Sequence, residues 1–300
     1  MFKLVYIATL ALSIHVIPAQ AQELTGTLKK IKDSGVITIG HRDASVPFSY
    51  LDDKQQPIGY SMDLCAKIVD AVKVELKMPN LQVKLNPVTS STRIPLLANG
   101  TIDLECGSTT NNLERQKQVS YVVTTFVTAN RLVSKKSNNI TKLDDLKGKS
   151  IVSTSGTTNI KQMTELNASK GLGMNIIAAK DHAESFLMVE TDRAVAFAMD
   201  DILLYGLVAG SKAPNDYVVS SEGLSVEPYA IMVRKDDVAF KKVADSAITG
   251  LFKSGEINKL YAKWFQASIP PKNINLNLPM SPALKAVIAK PTDSGDPTVY

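Results

Sequence analysis

The 300 residues contain 34 Lys+Arg and 29 Asp+Glu, and 44% of them are hydrophobic. This composition is that of a folded globular chain of one large or two medium domains, and it excludes disordered, collagen-like and coiled-coil proteins. The basic residues are scattered among acidic ones, so the chain lacks the charge pattern of a nucleic-acid-binding protein, and its small positive balance favours an anionic ligand only weakly.

The first 21 residues have the pattern of a secretory signal peptide. Lys3 is their only charge, residues 4–17 are nearly all apolar, and the segment 19–21 (Ala-Gln-Ala) supplies the small residues of a cleavage site. This pattern predicts cleavage after Ala21 and a periplasmic or secreted protein, with a buried N-terminal core helix as the alternative. No Cys follows the apolar stretch and no later stretch is long enough to form a membrane helix, so the mature chain is expected to diffuse freely.

From residue 36 onward, strand-like and helix-like segments alternate as they do in α/β proteins. Residues 36–39 predict a strand that ends at Gly40, and Leu64, Ile68 and Val72 have the spacing of a buried helix face. The other predicted elements are strands at 81–85, 102–104, 150–153, 175–178, 195–199 and 216–219, and helices that begin near 93 and 158 or run over 240–264 and 282–289.

Two similar segments flank the second half of this series. Residues 131–135 and 230–234 are each an apolar strand that ends in basic residues. They indicate a domain inserted into another through two crossing strands, with two unrelated strands as the alternative. The predicted organisation is lobe 1 at 22–131, an inserted lobe 2 at 132–231, the return of lobe 1 at 232–290 and a loose tail at 291–300.

The two cysteines, Cys65 and Cys106, are the only pair in the chain. An exported protein folds in an oxidising compartment, so a single disulfide is predicted, with two buried free thiols as the alternative. Only His41 and His182 remain after processing, and neither has the spacing of a metal ligand. No metal and no cofactor are therefore expected.

Enzyme motifs are mostly absent. The segment 171–173 (Gly-Leu-Gly) is not followed by a third Gly at 176, and the segment 148–150 (Gly-Lys-Ser) lacks the upstream Gly of a phosphate-binding loop. Ser155, His182 and Asp200 could in principle form a catalytic triad, but their spacing carries no information.

Small polar and cationic residues recur where the chain leaves a predicted strand. The positions are 41–42, 89–93, 107–110, 156–158, 182 and 200. Loops at the carboxyl ends of strands hold ligands in open α/β sheets, and free N–H groups at helix N-termini favour a carboxylate. An Arg side chain adds paired charge-assisted hydrogen bonds to such an anion. Taken singly, each Arg could equally be a solvated surface charge, and the Ser and Thr residues could be turns or caps.

Eight stretches carry a more specific pattern. They are GHRDASVPFSYLDD from residue 40, GYSMDLCAKIVDAVK from 59, TSSTRIPLLANGTIDLECGSTTNNLERQKQ from 89, STSGTTN from 153, AAKDHAESF from 178, RAVAFAMDD from 193, VEPYAIMVRKDD from 226 and SGEINKLYAKWF from 254. Through them the chain resembles the periplasmic glutamate/aspartate-binding proteins that serve amino-acid ABC transporters. The resemblance covers essentially the whole mature chain, and the block 89–118 is its most specific part.

The resemblance implies a type II periplasmic-binding fold, in which two α/β lobes joined by two hinge strands close on one ligand. It implies the binding residues Arg42, Ser90, Arg93, Ser108, Thr110, Arg115, Thr158, His182 and Asp200. Asp200 would accept the ligand's α-ammonium group. Arg115 and the backbone around Ser108, Thr110 and Thr158 would hold the α-carboxylate, and the other four residues would hold the side-chain carboxylate. A bridge between Cys65 and Cys106 would brace the loop at Ser108.

The charges of these residues agree with that implication. A dicarboxylic amino acid has two anionic groups and one cation, which three Arg, one Asp and two helix N-termini complement. A neutral amino acid would leave Arg42 and Arg93 unpaired and desolvated, at a cost of about 1–3 kcal/mol or more.

The resemblance thus implies a monomeric, non-enzymatic receptor that binds L-glutamate or L-aspartate and docks on an ABC permease. A receptor for glutamine or asparagine is one alternative. A periplasmic dehydratase-type enzyme on the same fold is the other, although it would need a further acid or base in the cleft.

Overall fold

The structure is a computed structural model that describes residues 24–300, so the predicted signal peptide at 1–21 lies outside the described residues. The helices are α1 (Gly26–Ser34), α2 (Tyr60–Leu76), α3 (Arg93–Ala98), α4 (Thr158–Lys170), α5 (His182–Glu190), α6 (Asp201–Ala209), α7 (Val238–Ser254), α8 (Glu256–Tyr261) and α9 (Pro282–Ala289). The strands are β1 (Val36–His41), β2 (Ala44–Ser45), β3 (Ser49–Leu51), β4 (Pro57–Ile58), β5 (Gln82–Pro87), β6 (Leu104–Cys106), β7 (Val119–Tyr121), β8 (Phe126–Thr128), β9 (Asn130–Lys135), β10 (Ser150–Thr154), β11 (Asn175–Ala179), β12 (Ala196–Asp200), β13 (Tyr217–Val219), β14 (Glu227–Tyr229), β15 (Met232–Arg234), β16 (Ser268–Ile269) and β17 (Ile274–Asn275).

Sheet 1 has the strand order β5-β1-β6-β15-β7 and forms the centre of lobe 1. β1 pairs in parallel with β5 and β6, while β15 pairs antiparallel with β6 and β7. The helix α2 packs against this sheet and buries Leu64, Ile68 and Val72 completely. These three residues have the helical spacing that predicted α2, because one face of a helix recurs every 3.6 residues.

Sheet 2 has the order β11-β10-β12-β9-β13 and forms the centre of lobe 2. β10 is parallel to β11 and β12, and β9 is antiparallel to β12 and β13. Ile151 and Ala196 of this sheet bury their side chains in one cluster with Met163 of α4. Each lobe therefore has the α/β pattern that the alternation along the chain predicts.

The strands β8 and β14 form a separate antiparallel pair, with Thr128 opposite Glu227 and Phe126 opposite Tyr229. In the chain this pair lies between strands of sheet 1 and strands of sheet 2, so the backbone passes between the lobes here. The crossing thus lies a few residues away from the segments 131–135 and 230–234 that the sequence suggested. The whole of the first segment belongs to β9 and most of the second to β15, and their apolar character reflects burial within the two sheets.

Residues 291–300 pack on lobe 1, whereas the sequence predicted a loose tail. The carbonyl of Thr292 accepts a hydrogen bond from the backbone of Thr124 at 2.8 Å, and that of Asp293 accepts one from Nδ2 of Asn111 at 2.8 Å. Asn111 and Thr124 are completely buried. The tail satisfies polar groups that burial would otherwise leave unpaired, which its polar composition alone does not reveal.

Cys65 of α2 and Cys106 of β6 form a disulfide, with their Cα atoms 6.3 Å apart. The predicted bridge is confirmed. It ties the first long helix of lobe 1 to the strand that leads into Ser108.

The direction of the parallel strands brings the polar side chains that follow them to the region between the lobes. Their carboxyl ends share one edge of each sheet, and the residues that follow β5, β6, β10 and β11 lie between the two lobes. Within residues 24–300, no helix combines the length and apolar character needed to cross a membrane.

Candidate functional site

A small polar cavity lies between the lobes, at the carboxyl ends of these strands. Its lining residues are Ser90, Arg93, Ser108, Thr110, Thr157, Thr158, Asn159, His182, Met199, Asp200 and Leu203. Seven of the nine residues implied by the resemblance are among them. The remaining two are Arg115, which donates to the carbonyl of the lining residue Thr110, and Arg42, whose charge acts on the lining residue His182.

Arg93 is the first residue of α3 and is buried in lobe 1. Its Nη1 donates to the carbonyl of Ser108 at 3.2 Å and to the hydroxyl of Thr109, which in turn donates to Oε2 of Glu105 at 2.7 Å. Burial and the positive charge of Arg115 lower the pKa of Arg93 to about 9. A guanidinium that is buried beside a like charge is costly to keep ionised. An anion placed against it offsets that cost, so Arg93 favours an anionic ligand group.

Arg42 follows β1 and is also buried. Its backbone N–H donates to the hydroxyl of Ser49 at 2.9 Å, which fixes the turn after the strand. Burial lowers the pKa of the Arg42 guanidinium, and Glu105 and Asp181 oppose that effect. Arg42 also lines a second opening between the lobes, together with Thr89 and Lys180.

Oε1 of Glu105, an acceptor beside Arg93, has no hydrogen-bond partner within residues 24–300, and four further polar atoms around the cavity have none either. They are Nη1 of Arg42, Oγ of Ser90, Nε of Arg93 and Oγ of Ser108. All four are donors or can act as donors. Buried donors without partners are costly, so this part of the site fits a ligand rich in acceptor oxygens.

His182 is the first residue of α5 and is buried beside the two arginines. Its Nδ1 lies 2.9 Å from the hydroxyl of Thr154. Burial and the charges of Arg42 and Arg93 lower the pKa of His182 well below its ordinary value of 6.5. The imidazole is therefore neutral at neutral pH and adds hydrogen bonding without further charge.

Arg115 connects the lobes. Its Nη1 donates to the carbonyl of Thr110 in lobe 1 at 2.9 Å, and its Nη2 donates to the carbonyl of Gly156 in lobe 2 at 3.1 Å. The hydroxyls of Thr110 and Thr158 lie 3.5 Å apart across the same boundary. The lobes thus meet along one wall of the cavity, beside the N-terminus of α4.

Asp200 ends β12 and provides the carboxylate of the cavity. Its Oδ1 accepts a hydrogen bond from Nδ2 of Asn159 at 2.7 Å, and its Oδ2 accepts one from the hydroxyl of Tyr229. Burial and the negative charge of Glu227 raise the pKa of Asp200 to about 7. A cation placed against Asp200 would lower that pKa again, because it stabilises the ionised form.

Comparison with known proteins gives the class of the chain. Residues 37–267 match the family described as bacterial extracellular solute-binding proteins, family 3. The chain belongs to this family.

Two relatives match the sequence of this family 3 solute-binding protein over nearly its full length. The L-glutamate/L-aspartate-binding protein of Pseudomonas aeruginosa is 61% identical over 92% of each chain. The glutamate/aspartate import solute-binding protein of Escherichia coli is 49% identical over 95% of this chain and 96% of its own. The crystal structure of a cysteine-binding protein from Campylobacter jejuni superposes with a TM-score of 0.70 and 26% identity, over 80% of this chain and 93% of its own. The predicted type II fold and the predicted class, a solute-binding protein instead of an enzyme, are confirmed.

Four polar residues of the site were not singled out from the sequence of this family 3 protein. They are Glu105, Asn159, Glu227 and Tyr229. Asn159 directly follows the Gly-Thr-Thr loop, and Glu227 and Tyr229 lie within the stretch from 226 that carries the resemblance. Their location beside or within the stretches that carry the resemblance could have pointed to them. No chemical pattern, however, distinguished them from residues with a structural role.

Proposed function

We propose that this solute-binding protein binds L-glutamate or L-aspartate between its lobes and delivers it to the permease of an ABC importer. The charges at the cavity carry the proposal: the buried guanidiniums of Arg42, Arg93 and Arg115 lie in or beside a cavity whose lining residues include one carboxylate, that of Asp200. A dicarboxylic amino acid has the complementary two negative charges and one positive charge. The names of the Pseudomonas aeruginosa and Escherichia coli relatives support the same ligands.

The roles proposed for the residues are those that the resemblance implies, and the positions of these charges support them. Arg42 and Arg93, with Ser90 and His182, hold the side-chain carboxylate. Unpaired donor atoms of Arg42, Ser90 and Arg93 support this role, as does the effect of both guanidiniums on His182. Asp200 holds the α-ammonium group. The α-carboxylate lies near the lobe boundary, where Arg115 and the backbone around Ser108, Thr110 and Thr158 supply donors; N–H groups at the N-terminus of α4 are suited to an anion.

Ligand binding favours the closed arrangement of the lobes. Ser90, Arg93 and Ser108 come from lobe 1, whereas Thr158, His182 and Asp200 come from lobe 2. A ligand that contacts both sets binds the closed form better, and so shifts the population toward it. Closure is the state that a permease can distinguish from the empty receptor. We further propose that the chain is exported to the periplasm by the signal peptide at 1–21 and acts there as a monomer.

Calorimetric titration tests the ligand assignment. The protein is unfolded, stripped of ligand and refolded, because tightly held ligands survive purification, and is then titrated with glutamate, aspartate, glutamine and asparagine at neutral pH. We expect saturable binding of the two acids and much weaker binding of the two amides. Binding of the amides alone, or of none of the four, would overturn the assignment.

A substitution at Gly156 tests closure. Gly156 has φ of 76°, and a Cβ atom there would lie 2.6 Å from Cα of Ser91 in the opposite lobe. Gly156→Ala is therefore expected to weaken glutamate binding by about tenfold or more, since overpacking of this kind costs about 1–3 kcal/mol in the closed form alone.

Gly171→Ala is the matched control for this variant. Gly171 also has positive φ, 58°, but no atom lies within 4 Å of its Cβ position. Both variants carry the backbone strain of a left-handed Ala, whereas only Gly156→Ala obstructs the lobe contact. Equal affinities of the two variants, measured by calorimetry, would contradict the proposed closure.

A further inference from the structure

A second buried carboxylate, that of Glu227, lies near Asp200, the residue proposed to hold the ammonium group of the ligand. Glu227 of β14 is 5% exposed, and its Oε2 accepts a hydrogen bond from the hydroxyl of Thr158 at 2.9 Å while its Oε1 accepts one from the hydroxyl of Ser225 at 2.7 Å. Thr158 lines the cavity, so Glu227 is one side chain removed from it.

The partners of the two buried carboxylates are all neutral. Asp200 accepts from Asn159 and Tyr229, and Glu227 accepts from Thr158 and Ser225. Buried negative charges are costly unless a cation compensates them. The two neighbouring carboxylates of Asp200 and Glu227 therefore indicate that the compensating cation is a group of the ligand.

The hydrogen bond to Glu227 also decides what the Thr158 hydroxyl can do. A hydroxyl has a single proton, and here that proton is donated to Oε2 of Glu227. The lone pairs of the Thr158 oxygen remain for the neighbouring Thr110 hydroxyl, 3.5 Å away, and for the cavity. In this orientation the hydroxyl accepts a hydrogen bond from an ammonium group and cannot donate to a carboxylate.

We propose that Glu227 is a positioning residue for the ammonium group of the ligand: it orients the Thr158 hydroxyl as an acceptor and supplies a second negative charge beside Asp200. Thr158 then contributes twice, with its backbone N–H toward the α-carboxylate and its hydroxyl oxygen toward the ammonium group. This inference rests on the proposed function and names the part of the site that selects an α-amino acid.

The location of Glu227 links this selection to the crossing between the lobes. Glu227 pairs with Thr128 in the β8–β14 ribbon, whereas Thr158 opens α4 of lobe 2. The hydrogen bond between them is thus a contact of the crossing strands with the ligand-binding edge of sheet 2.

The variant Glu227→Gln tests the proposal by calorimetry between pH 6 and pH 8.5. The charged and titratable groups that face Asp200 are Glu227, Asp201 and Tyr229. Removing the charge of Glu227 is expected to lower glutamate affinity about tenfold at pH 8, because a nearby unit charge is lost. It is also expected to move the pH at which binding weakens to a lower value. Glu222→Gln, an exposed position before β14, is the matched control and should bind as the wild type does.

The results separate the inference from the function on which it rests. No binding of glutamate by the wild type would overturn the proposed function. Wild-type binding together with unchanged affinity, or with an unchanged pH midpoint, in Glu227→Gln would overturn the inference alone, since a purely structural role leaves the midpoint where it is.

A second pair of variants covers the case in which Glu227→Gln does not fold. Thr158→Val removes the hydroxyl acceptor and keeps the shape of the side chain, so it is expected to weaken glutamate binding several-fold. Thr158→Ser keeps the hydroxyl and is expected to bind nearly as the wild type does. Wild-type affinity in Thr158→Val would overturn the inference.

Discussion

Arg93→Met is expected to lower the affinity for L-glutamate by about a hundredfold or more, because it removes a buried charge that the side-chain carboxylate requires. Arg93 is 2% exposed, and its Nε has no other partner within residues 24–300. L-Glutamine has no charge at that position, so its binding should change far less. Calorimetric titration with both ligands measures the expected collapse of the glutamate-to-glutamine ratio.

Arg93→Met also affects Glu105, so its effect on stability has to be separated from its effect on affinity. Nη1 of Arg93 lies 4.0 Å from Oε1 of Glu105, and both side chains are buried, so the single variant also leaves a carboxylate with less compensating charge. We expect it to melt at a lower temperature. The double variant Arg93→Met, Glu105→Gln removes both charges and should regain thermal stability without regaining affinity.

A substitution at an exposed arginine is the control for Arg93→Met. Arg193 lies on the surface of lobe 2, and Arg193→Met should leave both affinity and melting temperature unchanged. If Arg93→Met bound glutamate within about fivefold of the wild type, or if the double variant recovered affinity, the side-chain carboxylate would not lie on Arg93.

The alternation of strands and helices predicted the fold well, because burial imposes its own periods on the chain. Leu64, Ile68 and Val72 form the buried face of α2 as their spacing required, and residues 36–39 lie in β1, an interior strand of sheet 1. The crossing between the lobes was placed a few residues away, because the apolar segment 131–135 is typical of any buried strand. Only pairing across the fold distinguishes β9 from β8.

Most of the residues that the sequence predicted for the site lie together at the cavity, whereas the buried carboxylates behind them were not singled out. Arg93, His182 and Asp200 converge on the cavity, since they lie at or beyond the carboxyl ends of strands in the two sheets, and these ends meet between the lobes. Glu227 is a buried carboxylate whose partner Thr158 lies 69 residues away along the chain. Glu105 is buried between the hydroxyl of Thr109, four residues further on, and the guanidinium of Arg93. A single sequence contains no period or spacing for such pairs, so their roles became visible only in three dimensions.

The affinity for glutamate is expected to fall about tenfold between pH 8 and pH 6, following the protonation of Asp200. In the ligand-free protein burial and Glu227 raise the pKa of Asp200 to about 7. The ammonium group of the ligand binds the ionised carboxylate, so binding must release the proton whenever Asp200 is protonated. Affinity is therefore full above the raised pKa and is lost as the pH falls through it. Among the other titratable groups, the lowered pKa of His182 keeps its imidazole neutral over this range.

Asp200→Asn is the decisive variant for this pH dependence. The amide has nearly the shape of the protonated acid, and the side chains of Asn159 and Tyr229 that contact Asp200 remain in place, so the variant is expected to fold. Without the charge, glutamate affinity at pH 8 should drop about a hundredfold, and the remaining binding should no longer vary between pH 6 and pH 8. Asp53→Asn, at an exposed position, should retain the wild-type profile. A pH slope that persisted in Asp200→Asn would assign the titrating group elsewhere, because the proton that binding is expected to release is the one on Asp200.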